Sequence, residues 1–298
     1  MDEPAFIAAL RALASHPAAR GLADDAAVLG DLVLTHDMLV EGVHYLPGDP
    51  PADVAWKLLA VNLSDLAAKG AVPLGVLVGY MLGDEAWDRA FLDGLGEALA
   101  AYAVPLLGGD TVKGPGVRAL GLTALGRASI APARAGARAG DGLWVAGTIG
   151  DAGLGLAIAQ AGEGPPELLR AYRRPRPLLV EGRALAPHVH AMMDVSDGLL
   201  IDVARMAEAS GLAVTIDLAA MPRSAAARAF AGDDRAARLA AATAGDDYAL
   251  LFAASGEGVA TSGVGAIRVG TFAEGRGVSL RDGAATVPLP ARLGYQHG

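Results

Sequence analysis

Short apolar runs of strand length alternate with helical patterns in this sequence, and they do so in two blocks separated by a stretch with neither period. In the first block, residues 26–29, 32–34 and 38–40 read as strands, each closed by polar punctuation. Pro50-Pro51 opens a helical pattern that runs to Gly70, a residue suited to the position after a helix, with Pro73 beyond it. A strand is expected over 74–82. Asp84 then caps a second helix in which Trp87, Leu92, Leu95, Leu99 and Tyr102 recur at helical spacing. Residues 104–107 and 118–125 read as further strands. Residues 128–142 are rich in Ala, Gly and Arg and lack periodicity, which places a domain boundary there. The second block carries strands at 143–146, 191–195, 212–218, 248–253 and 267–272, helices at 154–161 and 199–210, and loops at 162–166 and 173–177. Alternation in both halves predicts two domains of α/β (α+β) class, residues 1–130 and 138–298.

Aspartates recur at the ends of these apolar segments: Asp24-Asp25, Asp37, Asp65, Asp110, Asp194 with Asp197, and Asp246-Asp247. One aspartate alone is usually a solvated surface residue or a cap. Asp65 is different, because Val54, Leu58, Val61, Asp65 and Ala68 form one stripe at 4-3-4-3 spacing. A carboxylate in that stripe is desolvated and needs a cation, since an unpaired buried ion costs several kcal/mol. Lys57 and Lys69 are candidates, and Lys69, one turn on, could form an ion pair. A metal ion is the alternative, and the other aspartates favour it. Asp110 follows Gly108-Gly109 at an expected strand end, where glycines admit another backbone or a ligand. Asp37 is likewise expected to end a strand. Asp194 and Ser196, two apart on an extended segment, point the same way. Asp197 could serve the following helix dipole instead.

Carboxylates gathered without His or Cys clusters describe a site for a hard cation such as Mg²⁺ or Ca²⁺. The chain has no cysteine, which excludes disulfides, thiolate metal sites and cysteine nucleophiles. Its formal charge of −9 argues against nucleic-acid binding. No apolar run approaches the roughly 20 residues of a membrane span. The opening Met1-Asp2-Glu3-Pro4 lacks a signal-peptide pattern, so a cytoplasmic protein with no membrane partner is expected. Neither a P-loop nor the protein-kinase signatures occur. Residues 147–155, Gly-rich after a strand, read as a plain turn. His16, His188, His190 and His297 read as surface or terminal residues.

With those residues in hand, the sequence resembles thiamine-monophosphate kinase. The blocks are Asp24-Asp25-Ala26-Ala27-Val28-Leu29, Thr35-His36-Asp37 through His44, and Lys57 through Asn62-Leu63-Ser64-Asp65-Leu66-Ala67-Ala68. Gly108-Gly109-Asp110-Thr111, Lys113-Gly114-Pro115, Asp194-Val195-Ser196-Asp197-Gly198-Leu199 and Gly245-Asp246-Asp247-Tyr248 complete the set, in the family's order across nearly the whole chain. The resemblance implies the two-domain fold shared with aminoimidazole-ribonucleotide synthetase: an N-terminal sheet domain that dimerises and a C-terminal α/β domain, with ATP and several Mg²⁺ ions between them. It implies phosphorylation of thiamine monophosphate to thiamine diphosphate. By motif, Asp25, Thr35, His36, Asp37, Asp65, Asp110, Asp194 and Asp197 match metal-ligand positions. Gly109, Asp110, Arg134 and Ser196 match ATP-contact positions, and His44, Asp246 and Tyr295 match substrate-contact positions. The chain departs from the family in three places: His36 stands where Thr is usual, Asp246 where Glu is usual, and Ala23 where Gly is usual. The residues near 26–46 and 74–82 would pair two chains across a two-fold axis. Two alternatives remain: a sibling enzyme of the aminoimidazole-ribonucleotide synthetase type, and a non-catalytic Mg²⁺- or nucleotide-binding module. The missing cysteine argues against siblings that carry a reactive cysteine.

Overall fold

A computed structural model describes residues 3–296; the opening Met1-Asp2 and the expectation for His297 lie outside them. The first block folds as α1 (Glu3–Arg11), β1 (Ala27–Leu29), β2 (Leu32–Val40), α2 (Pro51–Ala68), β3 (Val72–Met81), α3 (Glu85–Tyr102), β4 (Leu106–Val112) and β5 (Ala119–Arg127). Its five strands form one sheet in the order β1-β2-β5-β3-β4, antiparallel except for β3 with β4. The boundaries follow local chemistry. Pro51 opens α2 where its missing N–H costs nothing, and Asp84 accepts from the Trp87 N–H at 3.0 Å to cap α3. Gly70 closes α2 at φ +61°, and a Cβ there would meet the Ala186 Cβ at 2.4 Å.

No regular element occupies residues 128–141. The second block then runs β6 (Gly142–Ala146), α4 (Asp151–Ala161), α5 (Pro166–Arg173), α6 (Leu179–Leu185), β7 (Ala191–Asp194), α7 (Leu199–Ser210), β8 (Ala213–Asp217), α8 (Ala225–Ala231), α9 (Arg235–Thr243), β9 (Leu250–Ala254), α10 (Gly256–Ser262), β10 (Ile267–Ala273), β11 (Gly277–Asp282) and β12 (Ala285–Val287). Its seven-stranded sheet has the order β12-β11-β8-β10-β6-β9-β7, and only β8 with β11 is parallel. Two mixed helix-and-sheet layers of this kind are the α+β form of the expected class.

Helix α2 sits where the two halves meet. Every residue from Lys57 to Ala68 is buried. Val54, Leu58, Leu63 and Leu66 pack with Val33, Leu39, Val76, Leu120 and Leu122 of the first sheet. Ala67 and Ala68 join a second cluster with Met192, Leu250 and Phe252 of the other sheet. A helix apolar on all sides is a core helix, and its few polar residues must then find partners within the protein.

Two expected strand ends need correction. Residues 32–34 and 38–40 are one continuous strand, because Thr35-His36-Asp37 keeps the alternation and pairs with β5 without a break. Asp37 therefore lies inside β2. The strand expected over 104–107 begins at Leu106 and continues through Gly108-Gly109 to Val112, so Asp110 lies inside the exposed edge strand β4.

Candidate active site

Residues two apart on a strand share a face, and β2 uses this to present Thr35 and Asp37 toward α2. The Thr35 hydroxyl donates to Asp65 Oδ2, and the Asp37 N–H donates to Asn62 Oδ1 at 3.0 Å. Asp194 is the last residue of β7 and accepts from Ser64 Oγ at 2.5 Å. Asp25 enters just before β1. Four carboxylates thus converge from a loop, a strand, the central helix and the second sheet.

Their electrostatics divide them. Burial pushes Asp65 well above the ordinary carboxylate range, and the charges of Asp37, Asp194 and Asp25 add to it. Burial raises Asp194 to about 8, reinforced by Asp25. Asp37 rises to about 6 by burial, with His36 opposing and Asp25 and Asp197 assisting. Burial also pushes Asp25 up, but Lys69 and Arg134 together outweigh it and hold that carboxyl below its ordinary value. Lys69 Nζ lies 2.5 Å from Asp24 Oδ1 and 2.7 Å from Asp25 Oδ2, and it donates to the Met192 carbonyl at 3.0 Å. Arg134 Nη2 reaches Asp25 Oδ1 at 2.5 Å. The ion pair that Lys69 could have made with Asp65 is absent, and the lysine is committed to Asp24 and Asp25. Among the described residues, no ion pair involves Asp37, Asp65 or Asp194.

Two expected members lie apart from this cluster. His36 alternates to the opposite face of β2, exposed, with Nδ1 2.9 Å from Thr123 Oγ1. Asp110 is exposed and in register with Gly79, whereas Asp37 is in register with Leu122, Val78 and Gly109. A Cβ on Gly109 would meet the Val78 carbonyl at 2.0 Å, so the close approach there is by the neighbouring strand.

The remaining site residues meet at the turn after β7. Ser196 accepts from the Asp246 N–H at 2.7 Å through its carbonyl, and Asp197 likewise from the Tyr295 N–H at 2.9 Å. The Asp197 carboxylate pairs with Arg205 at 2.6 Å. His44 follows β2; its Nδ1 accepts from the Val40 N–H at 3.0 Å, which leaves Nε2 to carry the proton of a neutral ring. Lys57 Nζ donates to the His44 carbonyl at 3.0 Å and to Asp246 Oδ2 at 2.7 Å, which joins two expected substrate contacts. Cavities of about 480 and 360 Å³ lie beside α6 and α5, and none of the four carboxylates lines either one.

The chain matches the AIR synthase related protein, N-terminal domain, over residues 23–128 and the AIR synthase related protein, C-terminal domain, over residues 138–279. It is 42% identical to the thiamine-monophosphate kinase of Caulobacter vibrioides, over 95% of this chain and 86% of that relative. The chain belongs to the thiamine-monophosphate kinase family. Solved structures agree: AaThiL complexed with AMPPCP and TMP superposes with a TM-score of 0.88 at 27% identity, covering 100% of this chain and 97% of that one. The thiamine-monophosphate kinase of Stenotrophomonas maltophilia K279a gives 0.77 at 36% identity, covering 94% and 95%.

Within this family frame, Asp202 shapes the site without having been singled out in the sequence, and Lys57, Lys69 and Asp247 take partners that the sequence did not indicate. Asp202, fully buried in the first turn of α7, accepts from the N–H groups of Ser196 and Asp197 at 3.1 Å each and so fixes that turn. Burial raises its carboxyl to about 7, with Arg205 opposing. Its one signal was an aspartate inside the apolar run Leu199-Leu200-Ile201-Asp202-Val203. Lys57 and Lys69 were signalled by rarity, as two of three lysines in an arginine-rich chain, both in or beside the apolar helix. Asp247 accepts from Gly150 N at 2.8 Å, which makes residues 147–152 a helix start capped from a distance. His190, expected at the surface, is half-buried with Nδ1 2.9 Å from Asp141 Oδ2.

Proposed function

We propose that the chain transfers the γ-phosphoryl group of ATP to the phosphate of thiamine monophosphate, giving ADP and thiamine diphosphate. The observation that carries this reading is the convergence of Asp25, Asp37, Asp65 and Asp194, of which only Asp25 has a cationic ion-pair partner among the described residues. Family membership supports the choice of substrates.

The donors fit Mg²⁺. They are all oxygen, and three are held up by burial and mutual repulsion, a condition that a divalent cation relieves. Among the described residues no three acidic or histidine side chains form a ready metal cage; Mg²⁺ ordinarily keeps several waters and takes phosphate oxygens from its substrates. Asp25, Asp37, Asp65 and Asp194 would hold several such ions, with Thr35 and Asp197 beside them. Asp110 and His36 join the set through the resemblance. Bound there, Mg²⁺ supplies charge neutralisation between two polyanions.

The chain's own residues do the rest. Arg134, Ser196, Gly109 and Asp110 position ATP, with Lys113 assisting, and His44, Asp246 and Tyr295 contact the substrate. No side chain serves as general base, because a phosphate monoester with a second pKa near 6 is largely ionised at neutral pH. Alignment and neutralisation then remain the main requirements.

The same reading divides the chain at residues 1–130 and 138–298 and makes it a homodimer. Met38, Leu74, Leu77, Leu106, Leu107 and Val112 leave apolar surface exposed on the first sheet. No described helix is long and apolar enough to cross a membrane, and a cytoplasmic location completes the proposal. The test is a coupled assay for ADP with Mg²⁺ and ATP. ADP should form only when thiamine monophosphate is present, and light scattering should give twice the mass of one chain. ADP release indifferent to thiamine monophosphate would overturn the assignment.

A further inference from the structure

Lys57 is among the most enclosed cations in the chain, with a side chain only 2% exposed in the middle of the central helix. A buried ammonium has three donors to satisfy. One goes to Asp246 Oδ2 at 2.7 Å, from the second unit, and another to the His44 carbonyl at 3.0 Å. The face of the Tyr172 ring lies 4.2 Å from Nζ, centroid to nitrogen, and completes the enclosure as a cation–π contact. The Tyr172 hydroxyl is itself anchored to Asp49 Oδ2 at 2.8 Å.

The carboxylate at the other end of this pair is placed with equal care. Tyr248 Oη donates to Asp246 Oδ1 at 3.0 Å, so each oxygen has its own donor. Asp246 and Tyr248 both adopt left-handed backbone, at φ +68° and +50°. Non-glycine residues pay on the order of 1–3 kcal/mol for such conformations, which persist where surroundings force them and which cluster at ligand sites. Yet the Asp246 side chain is 32% exposed. The strained backbone delivers this partly open carboxylate to a buried cation. That geometry explains how a carboxylate is held still with free lone pairs facing out.

We propose that Lys57 is a positioning residue for the acceptor substrate: it fixes the Asp246 carboxylate and the His44 turn as one wall of the thiamine monophosphate site. This rests on the function proposed above. Lys57 and Tyr248 each donate to one oxygen of Asp246, so the wall presents a fixed hydrogen-bond acceptor. Such an acceptor suits an N–H donor, as on the aminopyrimidine of the substrate. Asp246 is also one methylene shorter than the glutamate usual at this position, and contact with Lys57 sets how far it reaches.

The test uses the full chain with Mg²⁺ and measures calorimetric binding of thiamine monophosphate and, separately, of AMPPCP. Wild type is compared with Lys57→Met, Asp246→Asn and the double variant. Each single variant should weaken thiamine monophosphate binding about tenfold or more, equivalent to about 1.4 kcal/mol, and leave AMPPCP within about twofold. The double variant should bind no worse than the weaker single one, since both remove the same contact. In turnover, KM for thiamine monophosphate should rise while kcat and KM for ATP hold. Lys57→Met that binds thiamine monophosphate as wild type does, or that loses both ligands alike, overturns the proposal. If Lys57→Met does not fold, Asp246→Asn carries the test, and unchanged thiamine monophosphate affinity in it is equally fatal. A wild-type chain that binds no thiamine monophosphate refutes instead the function on which the proposal rests.

Discussion

Replacing Asp65 by Asn should make the metal-free protein more stable and the enzyme inactive, two effects that a merely structural aspartate would not combine. Asp65 is 9% exposed, lies in the fully buried part of α2, and has no ion-pair partner among the described residues. Its polar contact is the Thr35 hydroxyl. An unpaired buried ion costs several kcal/mol, and the neighbouring carboxylates add repulsion to that cost. The Asn amide oxygen still accepts from Thr35, but the new NH₂ group lacks an assured partner and returns about 1–3 kcal/mol. The net gain near neutral pH in a chelator is therefore about 1–3 kcal/mol. At about 2–4 °C per kcal/mol for a protein somewhat smaller than this one, Tm rises by roughly 2–10 °C. Saturating Mg²⁺ and ATP should close the gap from the wild-type side, since a ligand at a hundred times its Kd adds about 2.7 kcal/mol. Turnover should fall by about 100-fold or more, because an amide cannot match the cation's charge. Thermal melts with EDTA and with Mg²⁺-ATP, beside the coupled ADP assay, read both effects. A metal-free Asp65→Asn less stable than wild type by more than about 1 kcal/mol would refute the electrostatic argument. Near-normal turnover at saturating Mg²⁺ would refute the functional one.

Lys69→Met removes a cation that serves two buried carboxylates, and it should cost about 3 kcal/mol, the low end for a broken buried pair because Arg20 and Arg134 remain; a loss below about 1 kcal/mol in urea titration would contradict this. Asp37 and Asp194, raised to about 6 and about 8, bind protons in the folded state that the unfolded chain has released. Their stabilising contribution is full below the ordinary carboxylate value and is lost as pH rises through those two values. Metal-free stability measured with EDTA should accordingly fall from about pH 5 to pH 8.5, and a flat or rising curve would count against the cluster. Asp110→Asn, on an exposed strand, should change stability by no more than about 0.5 kcal/mol yet abolish turnover; an active variant removes Asp110 from the site.

What the sequence disclosed, and what it withheld, follows from the range of the interactions. The stripe Val54-Leu58-Val61-Asp65-Ala68 is a local pattern, and all five residues are buried as the spacing requires. The N-cap at Asp84 and the closing glycines at Gly70 and Gly211 are also local, and they mark real ends. Strand ends were harder to read. A polar Thr-His-Asp inside β2 looks like punctuation until β5 pairs with it residue for residue, and the glycines of β4 look like a turn until β3 lies alongside. Long-range partners left no local trace: Lys57 meets Asp246 and Ser64 meets Asp194 across the boundary between the halves. For the site, the aspartates could be named one by one, but that Asp25 is paired and Asp65 is not depends on where Lys69 points. The surface helices α8, α9 and α10 are only seven to nine residues long, which leaves little length in which a helical period can stand out.

The central claim is direct transfer between two bound phosphates, and following the label tests it most directly. ATP labelled in its γ-phosphate is incubated with the chain, Mg²⁺ and thiamine monophosphate, and the products are separated. The account predicts label in the terminal phosphate of thiamine diphosphate in a one-to-one ratio with ADP, and none when Mg²⁺ is chelated. Label released as inorganic phosphate, or ADP formed without labelled thiamine diphosphate, would contradict it.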